Sequence, residues 1–270
     1  MKKKLLIVGI FSCCYSLSAF EVGGRLTFAL KSGMFSPSSK NINNEIISPI
    51  NQSIQDFVTQ AAAFGFTAES DEFNKIGQGL ILGGEVEWFF RPRISVAAGA
   101  EYFQNARSAF NEASGTEGAI TYELSQKYDV KASVIPLLAT VRYHFPLGKY
   151  RLYAGAGVGY YMGKLNFKMN YNLKVDSVAA ESDTTENEGT GQAVIPHVNA
   201  GLDLELLKHV SLTADLRYSF GTIKSFKIKK HTESEMIGKK ITYTNAQGDE
   251  KPVMWELDGF TLGLMVKIKF

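Results

Sequence analysis

At 270 residues, with 45% hydrophobic and 21% charged side chains, the chain has the composition of an ordered protein, not of a disordered or collagen-like one. Its 29 basic and 27 acidic residues leave a near-neutral balance that gives no argument for nucleic acid as a partner. One domain accommodates this length, since barrels of this size are commonly single units.

The first 19 residues read as a cleaved signal peptide. Lys2, Lys3 and Lys4 form a basic start, Leu5 to Phe11 an apolar stretch, and Ser16 to Ala19 the small-residue zone before a cut near Ala19 and Phe20. The apolar run is far shorter than the roughly 20 residues of a spanning helix. Removing the leader takes three lysines and both cysteines, Cys13 and Cys14, so residues 20–270 carry 29 less three, or 26, basic residues and no disulfide.

After the cut, Phe20, Val22, Gly24, Leu26, Phe28 and Leu30 alternate with Glu21, Gly23, Arg25, Thr27, Ala29 and Lys31, which is the period of a strand. Residues 32–75 are mostly polar. Within them Ser48-Pro49 is a helix start, Ile50, Ile54, Phe57, Val58 and Ala61 share one helical face, and Gly65 can end the turn. This predicts a short amphipathic helix in the first loop, acting as a packed lid or as a plug.

Next, Leu80, Leu82, Gly84, Val86, Trp88 and Phe90 oppose Ile81, Gly83, Glu85, Glu87 and Phe89, until Arg91-Pro92-Arg93 breaks the run. Ile94, Val96, Ala98, Ala100 and Tyr102 follow at once, facing away from Ser95, Ala97, Gly99, Glu101 and Phe103. A polar connection over 107–127 leads to a long hairpin at 134–161. Its limbs place Ile135, Leu137, Ala139, Val141, Tyr143 and Phe145, then Leu152, Ala154, Ala156, Val158 and Tyr160, on a greasy face across a turn at Pro146-Leu147-Gly148-Lys149. A third connection, 170–192, is acidic and poor in apolar residues, and reads as mobile. A second hairpin spans Val194 to Phe220 around Leu207-Lys208-His209. A fourth connection covers about 229–254, and Phe260, Leu262, Leu264, Val266, Ile268 and Phe270 alternate to the C-terminus.

About eight strands joined by alternately short and long connections make an all-β protein, a closed antiparallel up-and-down barrel. Three features turn its apolar face to lipid. Glycines crowd the polar face, at Gly83, Gly99, Gly155, Gly157, Gly159, Gly201 and Gly263. Aromatic residues gather near both strand ends, as in two interfacial girdles. Charges of both signs, Arg25, Glu85, Glu87, Glu101, Arg142, Asp203, Glu205, Asp215, Arg217 and Lys267, lie on the polar face, so a transmembrane barrel encloses them as a paired network.

The alternation, the hairpins PLLATVRYHFPLGKYRLYAGAGVGYY and IPHVNAGLDLELLKHVSLTADLRYSF, and the amphipathic last strand ending at Phe270 resemble small Gram-negative outer-membrane β-barrel proteins of the OmpA, OmpX and OmpW type. The resemblance covers residues 20–270 apart from the loops. It implies short periplasmic turns, long extracellular loops and a location in the outer membrane, with lipid and lipopolysaccharide as surroundings. It also implies recognition of the C-terminal strand by the barrel-assembly machinery, with periplasmic chaperones as partners.

No nucleotide loop, zinc spacing or nucleophile elbow is present, and no cofactor is expected. His209-Val210-Ser211 resembles the His-x-Ser of barrel deacylases, but sits at the short-turn end, away from the outer leaflet. Lys224, Lys227, Lys229 and Lys230 cluster where lipopolysaccharide phosphates would lie. The leading functional expectation is a structural or interactive barrel displaying loops and not an enzyme. A narrow channel for small or hydrophobic solutes is the alternative, and the external ligand is left open.

Overall fold

The computed structural model describes residues 25–244 and 248–270. The expected leader and the start of the first strand lie outside them.

Eight strands close into an antiparallel ring: β1 (Arg25–Pro37), β3 (Gly79–Arg91), β4 (Ile94–Glu117), β5 (Ile120–Leu147), β6 (Tyr150–Val175), β7 (Val178–Leu207), β8 (Val210–Ser219) and β10 (Gly259–Lys269). Neighbours in the ring are consecutive ring strands in the sequence, except where β10 returns to β1. There Phe28 pairs with Ile268, the Phe270 N–H donates to the Leu26 carbonyl, and the rings of Phe28 and Phe270 meet edge to face at 5.5 Å. The fold is therefore an eight-stranded up-and-down transmembrane β-barrel.

At one end the strands β3–β4, β5–β6 and β7–β8 are joined by two-residue turns, at 92–93, 148–149 and 208–209. Gly148 supplies the positive φ, 66°, that such a turn needs. The apolar sets point outward: Val141 is 55% exposed and Leu216 47%, while inward neighbours Arg142 and Asp215 are buried. On β5 the outward apolar band runs from Phe145 up to Ile135. Those 11 positions, tilted by about 40°, span about 25 Å, the height of a lipid-facing band.

Beyond that band the barrel departs from the sequence-based expectation. The connection at 107–127 and the acidic stretch at 170–192, expected as loops and the latter as mobile, are strand broken only by two-residue turns at 118–119 and 176–177: β5 has 28 residues and β7 has 30. At about 3.3 Å per residue β7 reaches roughly 100 Å along its axis, so more than half of it stands clear of the membrane. Two local causes hold this blade. Asp176 and Ser177 both take positive φ, 50° and 65°, and form a two-residue turn that Asp176 braces by accepting the Thr121 N–H at 2.9 Å. The polar residues then pair across strands, Lys164 with Glu188 at 2.7 Å and Lys174 with Glu123 at 3.2 Å.

Short strands widen the blade: β2 (Thr67–Asp71) adds to β4, and β9 (Lys227–His231) to β7. The first-loop helix, α1, begins earlier than Ser48 and runs from Lys40 to Ala63 as consecutive α, π and α segments. It does end as predicted, with Gly65 at φ 77° after the last turn. Ile42, Ile47 and Ile54 are buried with Phe35, Phe73 and Ile76, so the helix is a packed lid inside the loop end. The fourth connection is not an open loop, and it is wider than expected, from the end of β8 at Ser219 to Gly259. It contributes Ile223, Phe226, Ile241, Val253, Trp255 and Leu257 to the same core.

Candidate functional site

Among the described residues, buried chemistry-bearing side chains converge in the interior of the ring, and they do so in tiers. Nearest the short turns, Arg142 forms a two-pronged pair with Glu85 and lies 3.4 Å from Glu87. Glu87 also receives Lys267 at 3.0 Å and the Ser95 hydroxyl at 2.7 Å. Lys267 reaches on to Asp203 at 3.1 Å, and Asp203 accepts from Thr213 at 2.5 Å and from Arg151 at 3.2 Å. Three cations, Arg142, Lys267 and Arg151, thus face three carboxylates, Glu85, Glu87 and Asp203.

The second tier lies one turn of the pleat higher. Arg217 grips Glu101 with both terminal nitrogens, at 2.8 and 2.5 Å. Lys31 sits between Glu101 at 3.0 Å and Asp215 at 2.8 Å, so two cations meet two carboxylates. Tyr153 links the tiers: its hydroxyl donates to Asp215 at 2.6 Å, and its ring lies under Arg142 at 4.8 Å and Lys267 at 5.1 Å. Glycine makes the crossing contacts fit. A Cβ on Gly157 would stand 2.8 Å from His197 Nε2, which bonds Thr140 Oγ1 at 2.9 Å.

Above the ions the interior turns apolar. Ile81, Phe103, Tyr161, Ile195 and Trp255 are each no more than 1% exposed, and Phe35 packs edge to face on Phe103 at 5.2 Å. Trp255 donates to Ser39 at 2.9 Å, which ties the fourth connection to the head of α1. The helix and its loop are locked by reciprocal amide bonds, Asn43 with the backbone of Ile76 and Asn51 with that of Phe73.

Of the ten charges expected inside, the eight from Glu85 to Lys267 other than Glu205 stand in these tiers. Arg25 and Glu205 do not: both are exposed at the short-turn rim, where Glu205 meets Lys269 at 3.2 Å, because each lies one pleat beyond the last full ring of neighbours. Lys31, Arg151 and Tyr153 were not singled out. Lys31 was legible as an inward position on its strand; the other two needed the register. His209 and Ser211 are not brought together as a catalytic pair. Ser211 is fully buried, its hydroxyl without a hydrogen-bond partner among the described residues, and His209 lies on the exposed turn, its Nδ1 3.2 Å from the Lys269 carbonyl oxygen.

A family model described as outer membrane protein beta-barrel domain matches residues 55–270, four-fifths of the chain and every ring strand but β1. The chain belongs to this family. Among solved members of the barrel class it is similar to OprG of Pseudomonas aeruginosa, at 14% identity over 92% of this chain and 96% of that one, with a TM-score of 0.41. Neisserial surface protein A is 12% identical over 91% and 97%, with a TM-score of 0.37. Ail, the attachment invasion locus protein of Yersinia pestis, is 11% identical over 92% and 99%, with a TM-score of 0.35. No curated protein matches the chain. The outward residues of the last strand, Phe260, Leu262, Leu264, Val266, Ile268 and Phe270, are exposed on the lipid-facing side.

Proposed function

We propose that the protein is a non-conducting outer-membrane barrel that holds a rigid β-blade and its packed cap outside the cell as an interaction surface. One observation carries this reading: the interior is filled by two charge-balanced ionic tiers and, above them, by an apolar layer of Phe103, Ile195 and Trp255. An ion entering the tiers meets fixed pairs, and one reaching the apolar layer meets a dry wall, where a bare charge is strongly disfavoured. In planar bilayers the purified protein is expected to give no steady openings; reproducible single-channel steps would establish the narrow channel instead.

Export by the N-terminal leader, and insertion through recognition of the Phe260-to-Phe270 face by the barrel-assembly machinery after chaperone delivery, belong to the same reading. So does contact with lipopolysaccharide. Lys224, Lys227, Lys229 and Lys230 are exposed near the loop end. Lys230 is engaged, bonding Glu186 at 2.7 Å, which holds its ammonium above the ordinary lysine range and the Glu186 carboxyl below the usual one. Lys227 and Lys229 are the better placed for phosphate. The triple reversal Lys227→Glu, Lys229→Glu and Lys230→Glu should weaken association with lipopolysaccharide micelles about tenfold at low salt, with most of the loss already present when Lys230 is left intact. Unchanged association would remove lipopolysaccharide from the reading.

A further inference from the structure

At the short-turn end the ring opens into a vestibule of about 820 Å³, and its charge is one-sided. Arg25, Arg91, Lys149 and Lys208 line it, and none of the four makes an ion pair among the described residues. Its acidic side chains are already engaged: Asp203 by Arg151 and Lys267, Glu205 by Lys269. The tiers above neutralise themselves and draw nothing from the rim. The floor is also shaped for contact, with the Arg151 guanidinium lying 4.9 Å over the Phe89 ring.

From this arrangement we infer that the periplasmic vestibule docks an acidic peptide segment of a periplasmic partner. The four free cations come from β1, the end of β3, the β5–β6 turn and the β7–β8 turn: Arg25 and Arg91 stand on adjacent strands, and each of the other steps around the mouth is about two strands, or roughly 10 Å. A single phosphate could meet Arg25 and Arg91 together but could not reach Lys149 or Lys208 as well. An extended chain with a carboxylate on every second residue presents charges about 7 Å apart and can meet several cations in turn. A lipid headgroup fits less well, because the floor at Phe89 and Arg151 lies within the ring, out of reach of a phosphate held in the leaflet.

The test uses the full protein in an uncharged detergent and fluorescein-labelled octaglutamate, read by anisotropy at about 50 mM salt, where surface charges are weakly screened. The wild-type protein is expected to bind, and Arg25→Gln, Arg91→Gln, Lys149→Gln and Lys208→Gln together to weaken binding at least about tenfold. All four are exposed, so heat-modifiable gel migration should be retained, and Lys227→Gln with Lys229→Gln at the opposite end should leave binding unchanged. The inference is overturned if the quadruple variant binds as the wild type does, or if the wild type does not bind. Displacement by about 1 mM inorganic phosphate would also overturn it, in favour of a single-anion pocket. So would rim-dependent binding to phosphatidylglycerol vesicles without peptide binding, which would assign the cations to inner-leaflet headgroups.

Discussion

Arg217→Ala should lower the stability of the barrel by about 3–5 kcal/mol, seen as a clear drop in the denaturant midpoint of the detergent-refolded protein. Arg217 is 4% exposed and holds Glu101 through two bonds, so its loss leaves a carboxylate inside the ring with Lys31 as its one remaining cation. Lys31 is shared with Asp215, and the tier then carries two negative charges against one positive. The paired change Arg217→Met with Glu101→Gln separates this cause from simple loss of packing. Removing both charges spares the desolvation penalty of the orphaned one, so the double variant should recover a large part of the deficit. A midpoint for Arg217→Ala equal to that of the wild type would mean that the tier contributes little. A double variant worse than the sum of its parts would mean that side-chain volume, not charge, is what matters there.

Trp255→Ala should act on the other half of the molecule. Emptying a fully buried indole typically costs about 3–5 kcal/mol, and here it also leaves Ser39 without its donor at the head of α1, where that residue holds a left-handed φ of 48°. The cap is built from α1 and the described residues of 222–257 and rests on Phe103 and Ile195 inside the ring, but the backbone pairing of the ring strands does not run through it, so the loss should stay local. The cap should open roughly a hundredfold more often or beyond, since each 1.4 kcal/mol is about a factor of ten, and limited proteolysis within 222–257 should quicken accordingly. Heat-modifiable migration of the barrel should persist. Loss of that migration together with the cap would show that the cap and the membrane barrel unfold as one unit.

Much of this architecture is legible in the residues because the information is local. Val141 beside Arg142, and Leu216 beside Arg217, declare two faces without reference to anything distant, since successive side chains of a strand point oppositely. The inward glycines and the closing Phe270 read in the same way. The blade was missed for an equally local reason. Asp176-Ser177 is a poor advertisement for a turn with two positive φ values, where Asn-Gly is the usual signal, and Glu181 to Glu188 carry too few apolar residues to look like strand until their partners across β6 are known. The cap was missed because Ile223, Phe226, Ile241 and Trp255 have no common period; irregular chain packs by contact and leaves no rhythm in the sequence.

The sequence by itself determined that the chain forms an up-and-down barrel of about eight strands, which side chains look outward, and that opposite charges share its inside. Only the tertiary structure decided who pairs with whom, that Arg25 and Glu205 fall at the rim, and that the loop end is sealed. The physical reason is separation along the chain: Arg217 and Glu101 are 116 residues apart, and Lys31 and Asp215 are 184 apart. Such pairs meet only when the ring closes with one particular stagger of its strands, a property of the whole sheet that no single strand carries.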